Sequence, residues 1–386
     1  MKKLAIIGGG YMARIYSQNA HEMQIETHAF SLKDGVVEEK AFDFVHDVNI
    51  LDKDAVLVLC KQTGIDGVVA TTELTIATAA YVAEKMGLIY IPYETAVVIT
   101  DKYRNRQASK NVEGLNHPQF CVVTSFQDIL DLDYSYPIVL KPTSKGGKRG
   151  VVVVNSRNDV EKAFKYTLQD SGNALPFIVE EFITADMECS VESLSYHGKN
   201  YIVQITEKIT SGPPHCVELA HHQPARLSEQ MLQKIREVLD RGLTAIGIEN
   251  GPCHTEIRIR GDEIFLVEFN ARPGGDHIAY PLTELSTGYP YIKGAIQIAL
   301  GCFEGVELIP ENKKYAGVLF VTEQTAYLKP LFDSCQDYGW CYKKNFISEE
   351  LQSITHNNGF NLNYFIYCSD KRPDFVSEDH LLIKEN

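Results

Sequence analysis

The 386 residues are more than one ordinary hydrophobic core organises, so we expect two or three domains. With 44% hydrophobic and 23% charged residues, the composition is typical of a folded globular protein and excludes a disordered or fibrous chain. The formal net charge of −14, without a dense run of lysine or arginine, argues against nucleic acid and anionic membranes as partners.

The longest apolar runs are far too short to span a bilayer, and Met1 to Lys3 leads straight into a strand-like run rather than a signal peptide. The nine cysteines include no C-x-x-C pair, and an odd number cannot all pair within one chain. We therefore expect a cytoplasmic protein whose cysteines are free and mostly packed as small apolar groups.

Residues 1 to about 100 alternate short apolar runs with helical stretches, which is typical of a parallel α/β layer. The apolar runs cover 4–7, 25–30, 55–60 and 67–70, and the helical stretches cover 12–23 and 76–86.

A glycine turn follows the first run, and Gly8, Gly10 and Ala13 have the G-x-G-x-x-A spacing of a dinucleotide-binding turn. That interpretation also needs an acid at the end of the second strand, which instead ends at Phe30 and Ser31. A structural tight turn is the alternative.

The region from 101 to about 305 holds the polar clusters. We predict helices at 101–110, 159–169 and 228–246, strands at 137–141, 151–154, 177–182, 189–196 and 201–206, and a hairpin at 254–270. The tail, 311–386, is predicted to be mixed, with strands at 317–321 and 362–368.

The hairpin is the most informative segment. A three-residue loop at 261–263 pairs Glu256 with Glu268 and leaves Asn270 on the same face. Opposed carboxylates repel, and this set of oxygen ligands suits Mg²⁺ bound together with phosphates. The alternative is a solvated face on which Arg258 and Arg260 neutralise the acids. The opposite face is predicted to pack against a core and carries Ile257, Ile259, Phe265, Val267 and Phe269.

Two neighbouring segments suit anions. Arg272, Gly274 and Gly275 follow the hairpin and place a forked cation and backbone N–H groups beside the predicted metal. The loop at 143–150 combines glycines, hydroxyls and cations, which suits a lid over phosphates, although it lacks the Walker A spacing and a solvated turn is the alternative.

Taken in order along the chain, these pieces resemble the ATP-grasp superfamily. They are Asp101-Lys102, the strand at 138–141 with its glycine loop, the run at 179–183, Glu188, and Glu256 with the run at 268–272. The resemblance covers essentially the whole chain and implies an α/β and α+β fold. The domains implied are a Rossmann-like parallel α/β domain at 1–100, an ATP-grasp domain at 101–310 with a lid subdomain at about 101–185, and a small mixed domain at 311–386.

Within the superfamily, the stretches at 205–210, 216–225, 254–257 and 270–276 are similar to the L-amino-acid ligase, or carboxylate–amine ligase, branch. The nucleotide-binding residues implied by the resemblance are Lys102, Lys141, Ser144, Gly146, Gly147, Gly150, Glu180, Glu181, Ile183 and Glu188. The metal, Mg²⁺ with Mn²⁺ as an alternative, would be held by Glu256, Glu268 and Asn270. The expected catalytic residues are Arg272 and Lys141. The substrate candidates are Glu218, His254, Arg272, Gly274 and Gly275.

The function implied is a ligase that converts a carboxylate, expected to belong to an amino acid, into an acyl phosphate with Mg·ATP and joins it to an amine. Its partners would be small molecules, and a homodimer is compatible with the resemblance. Three alternatives stay open: an ATP-grasp enzyme of the carbamoyl-phosphate-synthase or nucleotide-precursor carboxylase type, an NAD(P)-binding oxidoreductase or sensor, and a nucleotide-binding protein that has lost turnover. Adjacent His221 and His222 point to opposite strand faces, so at most one can enter a given site.

Overall fold

The structure is a computed structural model that describes residues 1–33, 37–308, 313–354, 356 and 359–376. No helix in these ranges is both long enough and apolar enough to cross a membrane.

The first region is a parallel sheet, as predicted, and its four strands have the order β3-β2-β1-β4. Its strands are β1 (Lys3–Ile7), β2 (Glu26–Ser31), β3 (Phe44–Asp47) and β4 (Gly67–Ala70), and its helices are α1 (Tyr11–Glu22), α2 (Lys53–Thr63), α3 (Ile76–Met86) and α4 (Tyr93–Ile99). The apolar run at 55–60 is not a strand but the middle of α2. The Asp52 side chain caps that helix by accepting from the Ala55 N–H, and Gly64 ends it in the left-handed conformation.

Beyond the first region, the predicted helices and strands are present, together with elements that were not predicted. The helices are α5 (Lys102–Ser109), α6 (Phe126–Leu130), α7 (Val160–Asp170), α8 (Glu229–Ile246), α9 (Thr283–Thr287), α10 (Tyr291–Ala299) and α11 (Lys329–Ser334). The strands are β5 (Leu115–Asn116), β6 (Phe120–Val123), β7 (Ile138–Pro142), β8 (Val152–Val154), β9 (Phe177–Glu181), β10 (Met187–Tyr196), β11 (Lys199–Thr210), β12 (Glu218–Gln223), β13 (Gly251–Arg260), β14 (Glu263–Asn270), β15 (Tyr315–Val321), β16 (Cys341–Asn345) and β17 (Asn363–Ser369). The elements that were not predicted are α6, α9, α10, α11, β5, β6, β12 and β16.

A small antiparallel sheet of order β6-β9-β7-β8, with α6 and α7, has a hydrophobic core of its own around Phe164 and Phe177. We call this unit the lid. The glycine-rich loop at 143–150 joins its strands β7 and β8 and therefore lies at the edge of the lid.

The central sheet has nine strands in the order β16-β17-β15-β12-β11-β10-β13-β14-β5. The tail strand β15 pairs with β12, so the tail extends this sheet. One continuous core joins the central sheet to the first region, with Ile7 of β1 and Ile257 of β13 among its buried members. The loops after the carboxyl ends of β1 and β4 line one cavity together with the hairpin β13–β14, and this edge of a parallel α/β layer usually carries its ligand-binding loops.

The predicted hairpin register is wrong at the turn and right at the carboxylates. The loop has two residues, so Arg260 pairs with Glu263 and Ile259 with Ile264, and a bulge beyond Ile257 restores the pairing of Glu256 with Glu268. Because of this shift, Ile264 and Leu266 pack in the core with Ile257 and Ile259. Phe265 and Val267, which were expected on the core face, instead line a cavity.

Candidate active site

One cavity of about 910 Å³ lies between the lid, the hairpin and the carboxyl edge of the first sheet. It brings together most of the predicted site residues, namely Lys102, Lys141, Gly146, Gly147, Glu180, Glu181, Ile183, Glu188, Glu218, His254, Glu256, Glu268, Arg272 and Gly275.

Four predicted residues are not on the cavity wall. Ser144 is exposed, and Gly150 fills a structural position: its φ is +66°, its N–H donates to Asp170, and an added Cβ would lie 2.9 Å from Pro142. Neither position supports the expected direct contact with phosphate. Asn270 and Gly274 are buried just behind the wall.

A buried ion-pair chain holds Lys141. Its Nζ lies 2.5 Å from Glu180 Oε2, while the other oxygen of Glu180 accepts from Arg106 Nε at 2.7 Å. Although burial favours the neutral acid, Arg106 and Lys141 hold the pKa of Glu180 well below its usual range. The same burial lowers the pKa of Lys141, against the attraction of Glu180. Arg106 also donates to the backbone carbonyl of Leu266, which ties α5 to the hairpin.

Replacing Arg106 with Met is expected to reduce the free energy of unfolding by about 3–5 kcal/mol, because Glu180 loses one of its two buried counter-ions. Urea denaturation of the full chain measures this. Arg104→Met, at an exposed position of the same helix, is the control and should shift the free energy by no more than about 0.5 kcal/mol. Equal denaturation midpoints for both variants would contradict a stabilising role for the ion-pair chain.

Lys102 lies at the start of α5 among acceptors. Its Nζ donates to the Lys145 carbonyl at 2.8 Å and lies 3.2 Å from Glu268 and 3.5 Å from Glu73. Burial disfavours its charge, but Glu268 and Glu73 hold the pKa of Lys102 above its usual range. Lys102 therefore keeps its charge where it contacts the glycine loop.

Glu188, the predicted ribose ligand, is surrounded by cations. Arg258 contacts it at 2.7 Å, Lys148 at 3.5 Å and Lys208 at 3.6 Å. Burial opposes its charge, but these cations lower the pKa of Glu188 to about 2. The carboxylate therefore stays ionised and ready to accept hydroxyl hydrogen bonds.

An apolar slot separates the lid from the hairpin. Val139 and Val153 contribute to its lid side and Phe265 and Val267 to its hairpin side. A slot between two apolar walls, with Glu180 and Glu181 at its edge, suits a flat aromatic base.

The hairpin carboxylates carry cationic partners from other elements. Glu256 Oε1 lies 3.1 Å from Lys208 Nζ, and Glu268 is held by Lys102. Asn270, at the end of β14, is 1% exposed. Two ionised carboxylates and an amide form a set of hard oxygen ligands, so these residues fit a divalent cation such as Mg²⁺.

His254 bridges two carboxylates. Its Nδ1 lies 2.5 Å from Glu192 Oε1 and its Nε2 lies 3.3 Å from Glu256 Oε1. Burial lowers the pKa of His254, but these two acids overcome that effect and raise it to about 9. The imidazole therefore carries a proton on both nitrogens and donates to both acids.

Glu218, His221 and Asp276 form a second cluster, with one potential ligand atom from each within 4.8 Å of the others. Lys208 Nζ lies 2.8 Å from Glu218, so this cluster shares Lys208 with Glu256 of the hairpin. Against burial, Lys208 and His221 hold the pKa of Glu218 well below its usual range. His222 faces the other way and contacts Tyr367, as the strand alternation predicts.

Burial, and then the charge of Glu218, raise the pKa of Asp276 to about 6. Because the folded protein holds this proton more tightly than the unfolded chain does, wild type should lose stability as pH rises from about 4 to about 6. The Asp276→Asn variant lacks that titration, so its free energy of unfolding relative to wild type should rise over the same interval by about 1–3 kcal/mol, the lower end reflecting partial exposure of the carboxyl. Denaturant unfolding at several pH values measures the difference, and a difference independent of pH would contradict the assignment.

The far end of the cavity is acidic. We call the distal wall the part of the lining that comes from the first region, β12, the segment after the hairpin and the tail: Gly10, Tyr11, Met12, Thr71, Thr72, Glu73, Leu74, Glu218, Arg272, Pro273, Gly275, Asp276, Ile278, His356 and Phe360. Within it Glu73, Glu218 and Asp276 lie with one arginine, Arg272. Lys102 lies 3.5 Å from Glu73, and Lys208 lies 2.8 Å from Glu218, both reaching these acids from outside the wall. The Tyr11 and Phe360 rings stack at 4.1 Å across it.

The glycine turn after β1 is packed by protein atoms. A Cβ at Gly8 would collide with Thr71 Oγ1, and one at Gly9 would lie 2.8 Å from Val37. A Cβ at Gly10, the glycine that a pyrophosphate would approach, would meet nothing within 4 Å, so packing explains the glycines at 8 and 9 but not the one at 10.

Several site residues were missed in the sequence, above all Arg106, Lys148, Lys208 and Glu192. Lys208 and Glu192 are fully or almost fully buried charges within apolar strands. That pattern was visible and is the signal that could have found them, because buried charges are usually paired.

Comparison with known proteins identifies a domain within the chain. Residues 134–280 match the family model of the ATP-grasp domain. The chain carries an ATP-grasp domain. A formate-dependent phosphoribosylglycinamide formyltransferase of Nitratiruptor sp. is 23% identical to it, over 78% of this chain and 77% of that protein.

Two solved structures share the ATP-grasp fold over nearly the whole chain. An L-amino acid ligase from Bacillus licheniformis has a TM-score of 0.78 and 22% identity, covering 96% of this chain and 94% of its own. An N5-carboxyaminoimidazole synthetase from Staphylococcus aureus complexed with ADP has a TM-score of 0.76 and 16% identity, with the same coverage. The predicted superfamily and fold are confirmed, and so is the general class, an ATP-grasp enzyme of the ligase type.

Proposed function

We propose that the chain is an ATP- and Mg²⁺-dependent carboxylate–amine ligase that activates the carboxylate of an amino acid as an acyl phosphate. The amine of a second substrate then attacks, giving an amide, ADP and phosphate. The observation that carries this proposal is the single cavity that combines an apolar slot, paired lysines, the hairpin carboxylates and an acidic distal wall.

In this proposal the cavity residues bind the nucleotide, hold the metal and exclude water. Lys102 and Lys141 would bind the phosphates of ATP, Glu188 the ribose hydroxyls, and Glu180, Glu181 and Ile183 the edge of the adenine. Glu256, Glu268 and Asn270 would hold Mg²⁺, which supplies charge neutralisation for the transferred phosphoryl group. Gly146 and Gly147 at the edge of the lid would exclude water from an acyl phosphate.

Arg272 extends into the cavity between the hairpin and the distal wall, where its guanidinium can grip two oxygens of a carboxylate or phosphoryl group. Gly275 lies beside it on the wall, and His254 and Gly274 support the same loop from behind. The nucleophile is the carboxylate of the substrate, so catalysis requires positioning and charge rather than a protein nucleophile.

The distal wall favours an amino acid. Its three acids outnumber its one arginine and would complement a substrate ammonium, although Glu218 is paired with Lys208 and Glu73 with Lys102 from outside the wall. A phosphoribosyl substrate, as named for the Nitratiruptor relative, needs cations for its phosphate, and within the described distal wall Arg272 is the single arginine or lysine.

The decisive experiment incubates the purified full chain with Mg·ATP and amino acids, offered singly and in pairs, and measures ADP, phosphate and product mass. A product equal to two amino acids minus water would establish the ligase. Parallel reactions with phosphoribosylglycinamide plus formate, and with bicarbonate, test the alternative that the sequence relatives support. Turnover only in those reactions would overturn the amino-acid assignment.

A further inference from the structure

Glu192 is a buried carboxylate that does not line the cavity but contacts two segments at its wall, the strand residue His254 and the loop residue Gly274. It lies on β10 directly opposite His254 of β13 and is 0% exposed. Its Oε1 lies 2.5 Å from His254 Nδ1, and its Oε2 accepts the Gly274 N–H at 3.0 Å.

The two contacts explain why the residue is a glutamate. Two donors, an imidazole N–H and a backbone N–H, converge on one side chain, and each needs an acceptor oxygen. A carboxylate supplies two, whereas an amide supplies one and turns an N–H₂ group towards the second donor. In a site without water contact, that mismatch leaves a buried donor unpaired.

Beyond these contacts lie the two groups expected to act on the transferred phosphoryl. His254 Nε2 lies 3.3 Å from Glu256, and Gly274 lies two residues after Arg272. An added Cβ at Gly274 would be 2.6 Å from both Glu192 Oε1 and His254 Nδ1, so the loop that carries Arg272 rests directly on this pair.

We propose that Glu192 is a positioning residue that fixes both the direction of the Glu256 carboxylate and the seat of the Arg272 loop, without itself contacting nucleotide or substrate. The inference rests on the proposed function in so far as Glu256 is a metal ligand. It predicts that loss of Glu192 weakens the effect of Mg²⁺ on nucleotide affinity. The contacts made by Lys102, Lys141 and Glu188 should stay intact.

The test is calorimetric binding of ADP to the full chain, in EDTA and in excess Mg²⁺, for wild type, Glu192→Gln and Glu207→Gln. Glu207 is the matched control: it is also a buried carboxylate of the central sheet, but it pairs with Arg226 and does not line the cavity. We expect equal ADP affinities in EDTA for all three proteins. The tightening by Mg²⁺ should fall by about 10–100-fold in Glu192→Gln and persist in Glu207→Gln.

An undiminished Mg²⁺ effect in Glu192→Gln would overturn the proposal, as would an equal loss in both variants, which indicates general damage to the sheet. Equal ADP affinities of the wild type in EDTA and in excess Mg²⁺ would also overturn the proposal. If Glu192→Gln does not fold, Gly274→Ala replaces it, since the added methyl displaces the loop from an intact Glu192. Failure of every amino acid to support turnover would refute only the proposed substrates, because ADP binding does not depend on them.

Discussion

Glu268→Gln is expected to abolish turnover while the protein still unfolds cooperatively. Glu268 faces Glu256 across the hairpin and lies 3.2 Å from Lys102, so the substitution removes one charged oxygen from the metal set and one partner of a phosphate-facing lysine. Loss of groups that merely support metal ligands costs roughly 10–100-fold, so loss of a direct ligand should cost at least about 100-fold in kcat.

The control is Glu263→Gln on the same strand, which removes an exposed carboxylate paired with Arg260, outside the cavity. It should leave kcat within about a factor of two of wild type, because surface ion pairs contribute little. Phosphate release at saturating ATP, measured across a Mg²⁺ titration, compares the variants. Undiminished turnover of Glu268→Gln at ordinary Mg²⁺ concentrations would refute the metal assignment.

Part of the site could be predicted from the sequence because its residues lie close together in short segments of the chain. The alternation of residues along two strands predicted that Glu256, Glu268 and Asn270 lie on one face of a hairpin, and the glycines at 143–150 predicted a loop. The hairpin pairing at the carboxylates is correct although the assumed turn length is wrong, because the bulge adds the residue that the two-residue turn removes. The assumed turn was one residue too long and the bulge was not foreseen, and these two errors cancel at Glu256 and Glu268. Between the turn and the bulge they do not cancel, so Phe265 and Val267 were wrongly predicted to face the core.

The ion-pair partners could not be predicted, because they come from elements far apart in the chain. Arg106 meets Glu180 across 74 positions, and Lys208 meets Glu256 across 48. The central sheet pairs β10 with β13 and β12 with β15. No short segment of the sequence indicates these pairings between strands that are distant in the chain. Burial of Lys208 between three carboxylates is therefore a property of the topology.

That topology also accounts for the charge balance of the cavity. Lys102, Lys141 and Lys208 are each paired with carboxylates, so no cation among them carries an uncompensated buried charge. In the proposed arrangement, Mg·ATP would bring charges of both signs, anionic phosphates for the lysines and a cation for the acids. Binding would then exchange partners without leaving a charge unpaired, which would keep the cost of desolvation low.

Arg272→Lys is expected to lower kcat by roughly 100-fold or more with little change in the KM for ATP. The ammonium of lysine keeps the charge but loses the planar fork that holds two oxygens at once, and this geometry matters most as charge develops on the transferring phosphoryl group. ATP itself contacts Lys102, Lys141 and Glu188 in the proposed arrangement, so ground-state binding should survive.

The same exchange at Arg260, an exposed residue of the hairpin paired with Glu263, is the matched control and should leave kcat unchanged. Steady-state rates for wild type and both variants, with ATP varied at saturating carboxylate and amine, separate the effect on kcat from that on KM. If Arg272→Lys keeps the wild-type kcat, the guanidinium acts only within its loop, where it donates to the Pro273 carbonyl at 2.9 Å, and the phosphoryl group must be stabilised by the lysines and the metal alone.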